Sequence, residues 1–194
     1  MAQFARWLLL YTAAAVLGAG SALLWLTQAG MSGVDAGIWR TNLLAGSSDA
    51  DAYTRARIAI SAVLALDRSE TLYYTTDRDD RGAALRAECH YRIGGVPPPA
   101  RWWSITAYAA DHFLFPNAER RYSISGDTAQ LSSDGRFRAL LGPSQAADPD
   151  ALWIPTAGEG GMRLTLRLYG ADEALQRDPG SLRAPSVIPL GDCR

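Results

Sequence analysis

The sequence predicts a mainly β protein: an antiparallel β-sandwich or jelly-roll with one amphipathic helix, preceded by a single N-terminal transmembrane helix. Three observations lead to this fold class. An uncharged run of about 20 residues lies close to the N-terminus. Only one long helical pattern follows it, and many short alternating runs are separated by Gly- and Pro-rich turns. We therefore divide the chain into a transmembrane anchor (1–29), a linker (30–48) and a β-sandwich domain (49–194).

Length and charge limit the classes of protein that the sequence fits. The 194 residues have room for one membrane helix and one domain of ordinary size. The 19 basic and 20 acidic residues are spread along the chain and give a net charge of −1. A nucleic-acid-binding domain carries a basic face, so no nucleic acid is expected as a partner.

The uncharged run begins at Trp7, ends at Leu26 and reads WLLLYTAAAVLGAGSALLWL. Its length suits a helix that crosses the lipid bilayer, and Trp7 and Trp25 suit the two interfaces. Arg6 precedes the run and Asp35 follows it. The positive-inside rule then predicts a single-pass protein of a bacterial inner membrane, with a cytoplasmic N-terminus and a periplasmic C-terminal domain.

Two features of this run leave alternatives open. Thr27, Gln28 and Ala29 loosely resemble a signal-peptide cleavage site, although the apolar run is longer than a usual signal core. Ala14, Gly18 and Ala22 share one helical stripe of small residues, to which a membrane-protein partner could pack closely. The alternative for the stripe is that Ala and Gly are simply common in this segment.

The linker is rich in Gly, Ser and Ala and is interpreted as a partly ordered connector. Ser48 and Asp49 are candidate N-caps for a helix over residues 50–66. Apolar residues recur in this segment near the helical period, so we expect one face of the helix to cover a sheet.

The β domain is organised around residues 88–111, which read as two alternating runs joined by a Gly-Gly and triple-Pro loop. Alternation predicts a set of core-facing residues: Leu85, Ala87, Cys89, Tyr91, Ile93, Trp103, Ile105 and Ala107. Further strands are predicted at 71–76, after Arg121, at 137–141 and at 162–169, where Met162, Leu164, Leu166 and Leu168 face inward. Segment 71–76 is expected to form a hairpin with the strand that begins near residue 84, and the Pro-rich tail is expected to be irregular.

The two cysteines lie far apart in the sequence, Cys89 in the predicted core and Cys193 next to the C-terminus. In a periplasmic domain a disulfide between them would persist. It would close a loop of about a hundred residues, for which chain entropy gives roughly 4–5 kcal/mol. Two free thiols are the alternative.

Three runs of the chain resemble one known family: YTRARIAISAVLALDRSETLYYTTDRDDRG, ARWWSITAYAADHFLFPNAERRYSI and LWIPTAGEGGMRLTLRLYG. They resemble the family called domain of unknown function 1214, over roughly residues 49–189. The most specific likeness lies at Trp102-Trp103-Ser104, at Asn117, Arg120 and Tyr122, and at residues 166–169. The resemblance implies a jelly-roll-like sandwich without an established activity. A companion domain numbered 1254, often present in longer family members, has no counterpart here, where a membrane helix takes its place.

The sequence offers little support for catalysis or for a cofactor. His90 and His112 are its only histidines and lie on different elements, so no metal site is expected. Asp77, Asp79 and Asp80 form an acidic cluster without the distal Glu of a calcium loop. Neither a nucleophile elbow nor a phosphate-binding Gly motif before a helix occurs.

Outward-facing side chains of the predicted sheet form the candidate binding surface. It combines Glu88, His90 and Arg92 with aromatic, hydroxyl and guanidinium groups of two later strands. The candidate ligand-binding residues are Trp102, Ser104, Tyr108, Asn117, Arg120, Arg163 and Arg167. The alternative is an ordinary solvated or helix-covered face, with Asn117 and Arg120 stabilising a turn.

The sequence therefore predicts a membrane-anchored periplasmic module, either a non-catalytic binding domain or an accessory subunit of an envelope complex. The second hypothesis is an enzyme or sensor that acts on a carbohydrate-like or anionic small ligand at the outward face of the sheet.

Overall fold

The computed structural model describes residues 2–28, 33–60, 65–145 and 151–191. Its elements, in chain order, are α1 (Ala2–Gln28), β1 (Val34–Ala36), β2 (Trp39–Thr41), α2 (Ala52–Ile60), β3 (Thr71–Thr76), β4 (Tyr91–Gly95), β5 (Ala100–Ala109), β6 (Ser123–Ser125), β7 (Phe137–Gly142), β8 (Leu152–Pro155), β9 (Met162–Ala171), α3 (Glu173–Arg177), a 3₁₀ turn (Pro179–Ser181) and β10 (Ser186–Pro189).

Helix α1 is a single apolar helix of 27 residues. Its segment Ala2–Trp25 has a mean hydropathy of 1.8 and none of it is buried within the chain. Length and composition thus suit a membrane span, and they suit a signal sequence as well.

The strands form two sheets, so the mainly β prediction is confirmed. The six-stranded sheet has the order β1-β2-β3-β9-β5-β6 and is antiparallel throughout, whereas the four-stranded sheet has the order β10-β4-β7-β8. In the second sheet β8 runs parallel to β7. A purely antiparallel arrangement is therefore wrong for this sheet, whose four-residue strand β8 was absent from the prediction.

Both sheets contribute to one hydrophobic core. Trp103 of β5 and Phe137 of β7 bring the sheets together, with ring centroids 4.6 Å apart. The residues predicted to face inward at 85–93, 103–107 and 162–168 are all buried. Leu85, Ala87 and Cys89 are buried without belonging to a strand, because β4 begins only at Tyr91.

The runs on either side of the triple-Pro segment lie in different sheets, because that segment carries the chain from β4 in one sheet to β5 in the other. Strand β3 pairs with β2 and β9, and the hairpin predicted after it is reduced to one isolated antiparallel bridge between Arg78 and Ala84. The acidic turn after β3 is held by buried Asp79, whose carboxylate accepts backbone N–H bonds from Arg81 and Ala83, both at 2.9 Å.

The segment interpreted as a linker contributes β1 and β2 to the six-stranded sheet. Helix α2 begins at Ala52, later than predicted, because Asp51 provides the cap: its carboxylate accepts the N–H groups of Tyr53 and Thr54 at 2.8 and 3.0 Å. None of the residues of α2 is buried, so its described part packs no buried apolar face on a sheet, although Ile58 lines a cavity on the six-stranded sheet. The predicted helix also included residues 61–64, which lie outside the described residues.

The tail is more regular than its prolines suggested. It forms α3, a 3₁₀ turn and β10, which pairs antiparallel with β4. Strand β10 lies at the edge of its sheet, where Pro189 is tolerated although proline has no backbone N–H to donate to a neighbouring strand. The prediction of an irregular tail is therefore wrong.

Candidate functional site

The strands that carry the candidate binding residues lie side by side in the six-stranded sheet. Strand β9 is central, with β3 on one side and β5 on the other. The register places Ser104 opposite Arg167 and Tyr108 opposite Arg163. The prediction that the two strands from 102–108 and 163–169 share a sheet is thus confirmed, and their outward residues form one face.

Part of this face lines a small cavity of about 90 Å³. Strands β2, β3, β5 and β9, the turn after β5 and Ile58 of α2 surround it. The lining residues are Gly33, Arg40, Thr41, Asn42, Ala45, Ile58, Tyr73, Thr75, Tyr108, His112, Arg163, Thr165 and Arg167. The cavity therefore joins segments that are widely separated in the chain.

The cavity wall is cationic. Arg40, Arg163 and Arg167 line it together with His112, and none of the described residues that line it is Asp or Glu. Arg40 forms an ion pair with Asp35 at 3.4 Å, but both side chains are more than half exposed, which makes the pair weak. Within the part of the chain that the structure describes, Arg163 and Arg167 have no acidic partner.

Arg167 is held in place by its neighbours on β5. Its Nη2 donates to the Tyr108 hydroxyl at 2.8 Å, and its Nη1 donates to the Thr106 hydroxyl at 3.3 Å. The guanidinium carbon also lies 5.6 Å from the centroid of the Tyr108 ring, a cation–π distance. The Arg163 guanidinium makes no hydrogen bond to any described residue. One guanidinium is therefore oriented in advance, and the other has its donors free for a ligand.

A buried hydroxyl adds to the polar groups of the cavity. Thr41 lines it and is only 1% exposed, yet its Oγ1 has no hydrogen-bond partner among the described residues. An unsatisfied buried hydroxyl costs about 1–3 kcal/mol, so a ligand atom that paired with it would recover part of that energy.

His112 enters the cavity wall through a tight turn after β5. The turn is closed by two backbone bonds of 2.9 Å, from His112 N–H to Ala109 O and from Ala109 N–H to Phe113 O. His112 has a φ of +68°, in the left-handed region that residues other than glycine rarely adopt. Its backbone strain of roughly 1 kcal/mol is of the kind that concentrates at functional sites.

Comparison with known proteins identifies the family. The chain matches the family described as protein of unknown function (DUF1214) over residues 70–173. It belongs to the DUF1214 family. The matched region contains β3, β5, β9 and the turn of His112, whereas Arg40, Thr41 and Ile58 precede it. The DUF1214 resemblance that the sequence suggested is confirmed.

Two solved structures are similar to this DUF1214 chain. The crystal structure of the VPA0106 protein from Vibrio parahaemolyticus has 25% sequence identity and a TM-score of 0.57, covering 74% of this chain and 36% of that one. A protein from Burkholderia cenocepacia, described as uncharacterized, has 14% identity and a TM-score of 0.42, covering 64% of this chain and 31% of that one. The DUF1214 chain thus spans about a third of each. No curated protein matches it.

The cavity brings together only some of the predicted ligand-binding residues. Tyr108, Arg163 and Arg167 line it, whereas Trp102 and Ser104 do not. Trp102 lies further along β5, donates from Nε1 to Asp127 at 2.6 Å and packs against Tyr169. Ser104 is buried.

The other predicted residues lie outside the cavity. Asn117 stabilises its own loop: its side chain donates to Phe115 O and Arg121 O, both at 3.1 Å, and accepts from Arg121 N–H at 2.9 Å. Arg120 is exposed in the same loop. Glu88, His90 and Arg92 lie in or next to β4 of the four-stranded sheet, so their placement on the candidate surface is wrong.

Sequence reasoning missed Arg40, Thr41 and Ile58, and it considered His112 only for a metal site, which it did not expect. The first two belong to a strand of three residues, too short for alternation to be visible. No sequence pattern indicated that His112 would line a cavity, because its position depends on the left-handed turn after β5.

Proposed function

We propose that this DUF1214 protein is a membrane-anchored, non-catalytic module that binds a small anion in the cavity of the six-stranded sheet. The observation that carries the proposal is the cluster of Arg40, Arg163, Arg167 and His112 around one cavity that has no carboxylate among its described lining residues. Arginine binds carboxylate and phosphate groups through two parallel hydrogen bonds, which suits such a cluster to either anion.

The size of the cavity favours a charged group over a whole sugar. Its volume of about 90 Å³ is well below the roughly 300–1,000 Å³ of pockets that enclose drug-sized ligands. Trp102, the ring that would stack on a sugar, also lies outside the cavity. Of the two ligand classes that the sequence suggested, the anionic one is therefore better supported than the carbohydrate-like one.

Binding is favoured over catalysis by the lining residues themselves. The described residues that line the cavity offer guanidinium groups, hydroxyl groups and an imidazole, with no carboxylate or thiol among them. A hydrolase or transferase needs a nucleophile hydrogen-bonded to an adjacent base, and no hydrogen bond joins the His112 imidazole to a described lining hydroxyl. A sensor or an accessory subunit that responds to an anion needs only the donors.

A titration of the full chain in a neutral detergent tests this function. Isothermal calorimetry with inorganic phosphate should show binding to the wild type and a loss of about tenfold or more in Arg163→Gln, since a hydrogen bond to a charged group contributes about 1.5–3 kcal/mol. The matched control is Arg92→Gln, which changes an exposed arginine on the other sheet. Equal affinity of the two variants, or no phosphate binding to the wild type, would contradict the proposal.

Location is the second part of the proposal. We propose that α1 is retained, spans the inner membrane once and leaves the folded part in the periplasm, as Arg6 before the apolar run and Asp35 after it suggest. The stripe of Ala14, Gly18 and Ala22 would then be available to a partner helix, the arrangement expected of an accessory subunit. Protease should cleave a C-terminal tag in spheroplasts without lysis; protection of the tag until lysis would contradict this topology.

In the periplasm a disulfide between the two cysteines would persist, so we propose that they are bridged. Cys89 is buried in the core, and its proposed disulfide partner Cys193 lies outside the described residues. Alkylation of the denatured protein should therefore label neither cysteine before reduction and both after it. The core shared by the two sheets supports a sandwich or jelly-roll for this domain.

A further inference from the structure

Helix α2 lies against the end of the apolar helix. The rings of Trp25 in α1 and Tyr53 in α2 have centroids 5.0 Å apart, and the guanidinium carbon of Arg57 lies 5.8 Å from the Trp25 ring. Tryptophan near the end of a membrane span lies at the level of the lipid headgroups. In the membrane-anchored protein, α2 is therefore held at the bilayer surface.

The same helix forms part of the cavity wall. Ile58 of α2 lines the cavity, and Gly33, another lining residue, follows the last residue of α1 by only five positions. Five residues span at most roughly 18 Å, so the cavity lies within that distance of the end of α1. The cationic cavity is thus close to the headgroup layer.

Apolar side chains are exposed around the cavity. The turn that places His112 in the wall leaves Phe113 71% exposed, with Leu114 exposed next to it. On α2, Ile60 is 60% exposed, two residues beyond Ile58. Exposed apolar groups next to basic ones are typical of surfaces that enter the headgroup region of a bilayer.

Building on the proposed anion-binding function, we propose that the anion is the phosphate group of an acidic membrane lipid. The cavity receives the headgroup phosphate, while Phe113, Leu114 and Ile60 contact the adjoining acyl region. A free anion would explain the arginines but neither the exposed apolar residues nor the position at the end of α1. A lipid headgroup explains all three.

Short-chain lipids distinguish a headgroup from a free anion. The delipidated full chain in neutral detergent is titrated with a short-chain phosphatidylglycerol, with phosphatidylcholine of the same chain length, and with inorganic phosphate. Because apolar contacts add to the charged ones, phosphatidylglycerol should bind about tenfold or more tightly than inorganic phosphate. Phosphatidylcholine, whose phosphate is neutralised by its own cation, should bind more weakly than phosphatidylglycerol.

Two variants locate the lipid. Arg163→Gln should weaken both phosphatidylglycerol and inorganic phosphate, whereas Phe113→Ser should weaken phosphatidylglycerol alone. The matched control is Leu131→Ser, because Leu131 is an exposed apolar residue that does not line the cavity. All three changes are at side chains outside the core, and an unchanged unfolding midpoint verifies that each variant is folded.

The outcomes separate this inference from the function on which it rests. If inorganic phosphate binds and phosphatidylglycerol binds no more tightly, the lipid is excluded and the anion-binding function stands. If neither binds, both proposals are wrong. If phosphatidylglycerol binds equally to the wild type and to Arg163→Gln, the lipid lies elsewhere on the protein and the inference is overturned.

Discussion

The outward faces of the two sheets carry similar residues in different surroundings. Arg163 and Arg167 alternate along β9 in the six-stranded sheet, and Arg92 and Arg138 occupy outward positions of β4 and β7 in the four-stranded sheet. The first pair lines a cavity and is half-buried, whereas the second pair is exposed. Strand alternation thus places arginines on the outward face of both sheets. A candidate site forms only where other segments of the chain enclose those arginines in a cavity.

The walls matter because solvent screens exposed charges. A guanidinium in open water gains little from an anion, since the interaction competes with hydration and with salt. In a confined cavity the effective dielectric constant falls and the same contact becomes stronger. We therefore expect anion binding at the β9 arginines and none of comparable strength at Arg92 or Arg138.

The largest effect is expected where the two sheets meet. Phe137→Ala removes a fully buried ring that packs on Trp103 across the core, which should lower the free energy of unfolding by about 3–5 kcal/mol. Denaturant unfolding of the full chain in detergent measures the change. Phe113→Ala is the matched control and should change stability by less than about 0.5 kcal/mol, because Phe113 is exposed. Equal effects of the two changes would contradict a core common to both sheets.

A second prediction concerns the orientation of Arg167. Tyr108→Phe removes the hydroxyl that accepts its Nη2 proton, so phosphate affinity should fall by the equivalent of about 1 kcal/mol. Calorimetry measures the affinity. Tyr169→Phe is the control on the same face, since Tyr169 does not line the cavity. An unaffected affinity in Tyr108→Phe would show that Arg167 needs no orienting partner.

The strained turn permits a test in which stability and binding change in opposite directions. His112→Gly relieves the left-handed backbone, although glycine adds freedom to the unfolded chain, and the net gain should be small, at most about 0.5 kcal/mol. Phosphate affinity should fall, because the imidazole is lost from the cavity wall. A variant that is more stable and binds phosphate as well as the wild type would remove His112 from the site.

The smallest change in stability is expected for Glu88, which lies next to β4 of the four-stranded sheet. The pKa of the Glu88 carboxyl lies below its usual value because it accepts bonds from its own backbone amide and that of Gly160, with a further contribution from Arg86. A lowered pKa means that Glu88 contributes stability above the ordinary glutamate pKa of about 4.3, and that this stability is lost as the pH falls through the lowered pKa.

Glu88→Gln should therefore lessen the loss of stability in acid without changing phosphate binding at neutral pH. Unfolding midpoints measured from neutral to acid pH provide the comparison. Parallel curves for the wild type and Glu88→Gln would show that Glu88 makes no contribution to the acid sensitivity of the fold.

Local patterns predicted the parts of the fold that depend on neighbouring residues. The alternation in β5 and β9 gave their inward residues, since side chains on a strand alternate between its faces whatever lies beyond. The pairing of strands did not follow, because alternation looks the same in a hairpin as in strands of two different sheets. The three-residue strands β1 and β2 are too short for any periodic signal.

The candidate site was predictable to the extent that it lies on regular strands. Tyr108, Arg163 and Arg167 followed from alternation. Arg40 and His112 did not, because their positions depend on a long-range pairing and on a left-handed turn. Helix α2 was misjudged because its aromatic and apolar residues resemble a core-facing stripe, while in the structure Tyr53 contacts the end of α1.

A crystal of the full chain grown with selenate, a tetrahedral divalent anion, tests the central claim most directly. Anomalous scattering from selenium reports the anion's position without reference to any functional assay. We expect a peak in the cavity, within hydrogen-bonding distance of Arg163 and Arg167. Peaks at Arg92 or Arg138 with none in the cavity would contradict the account.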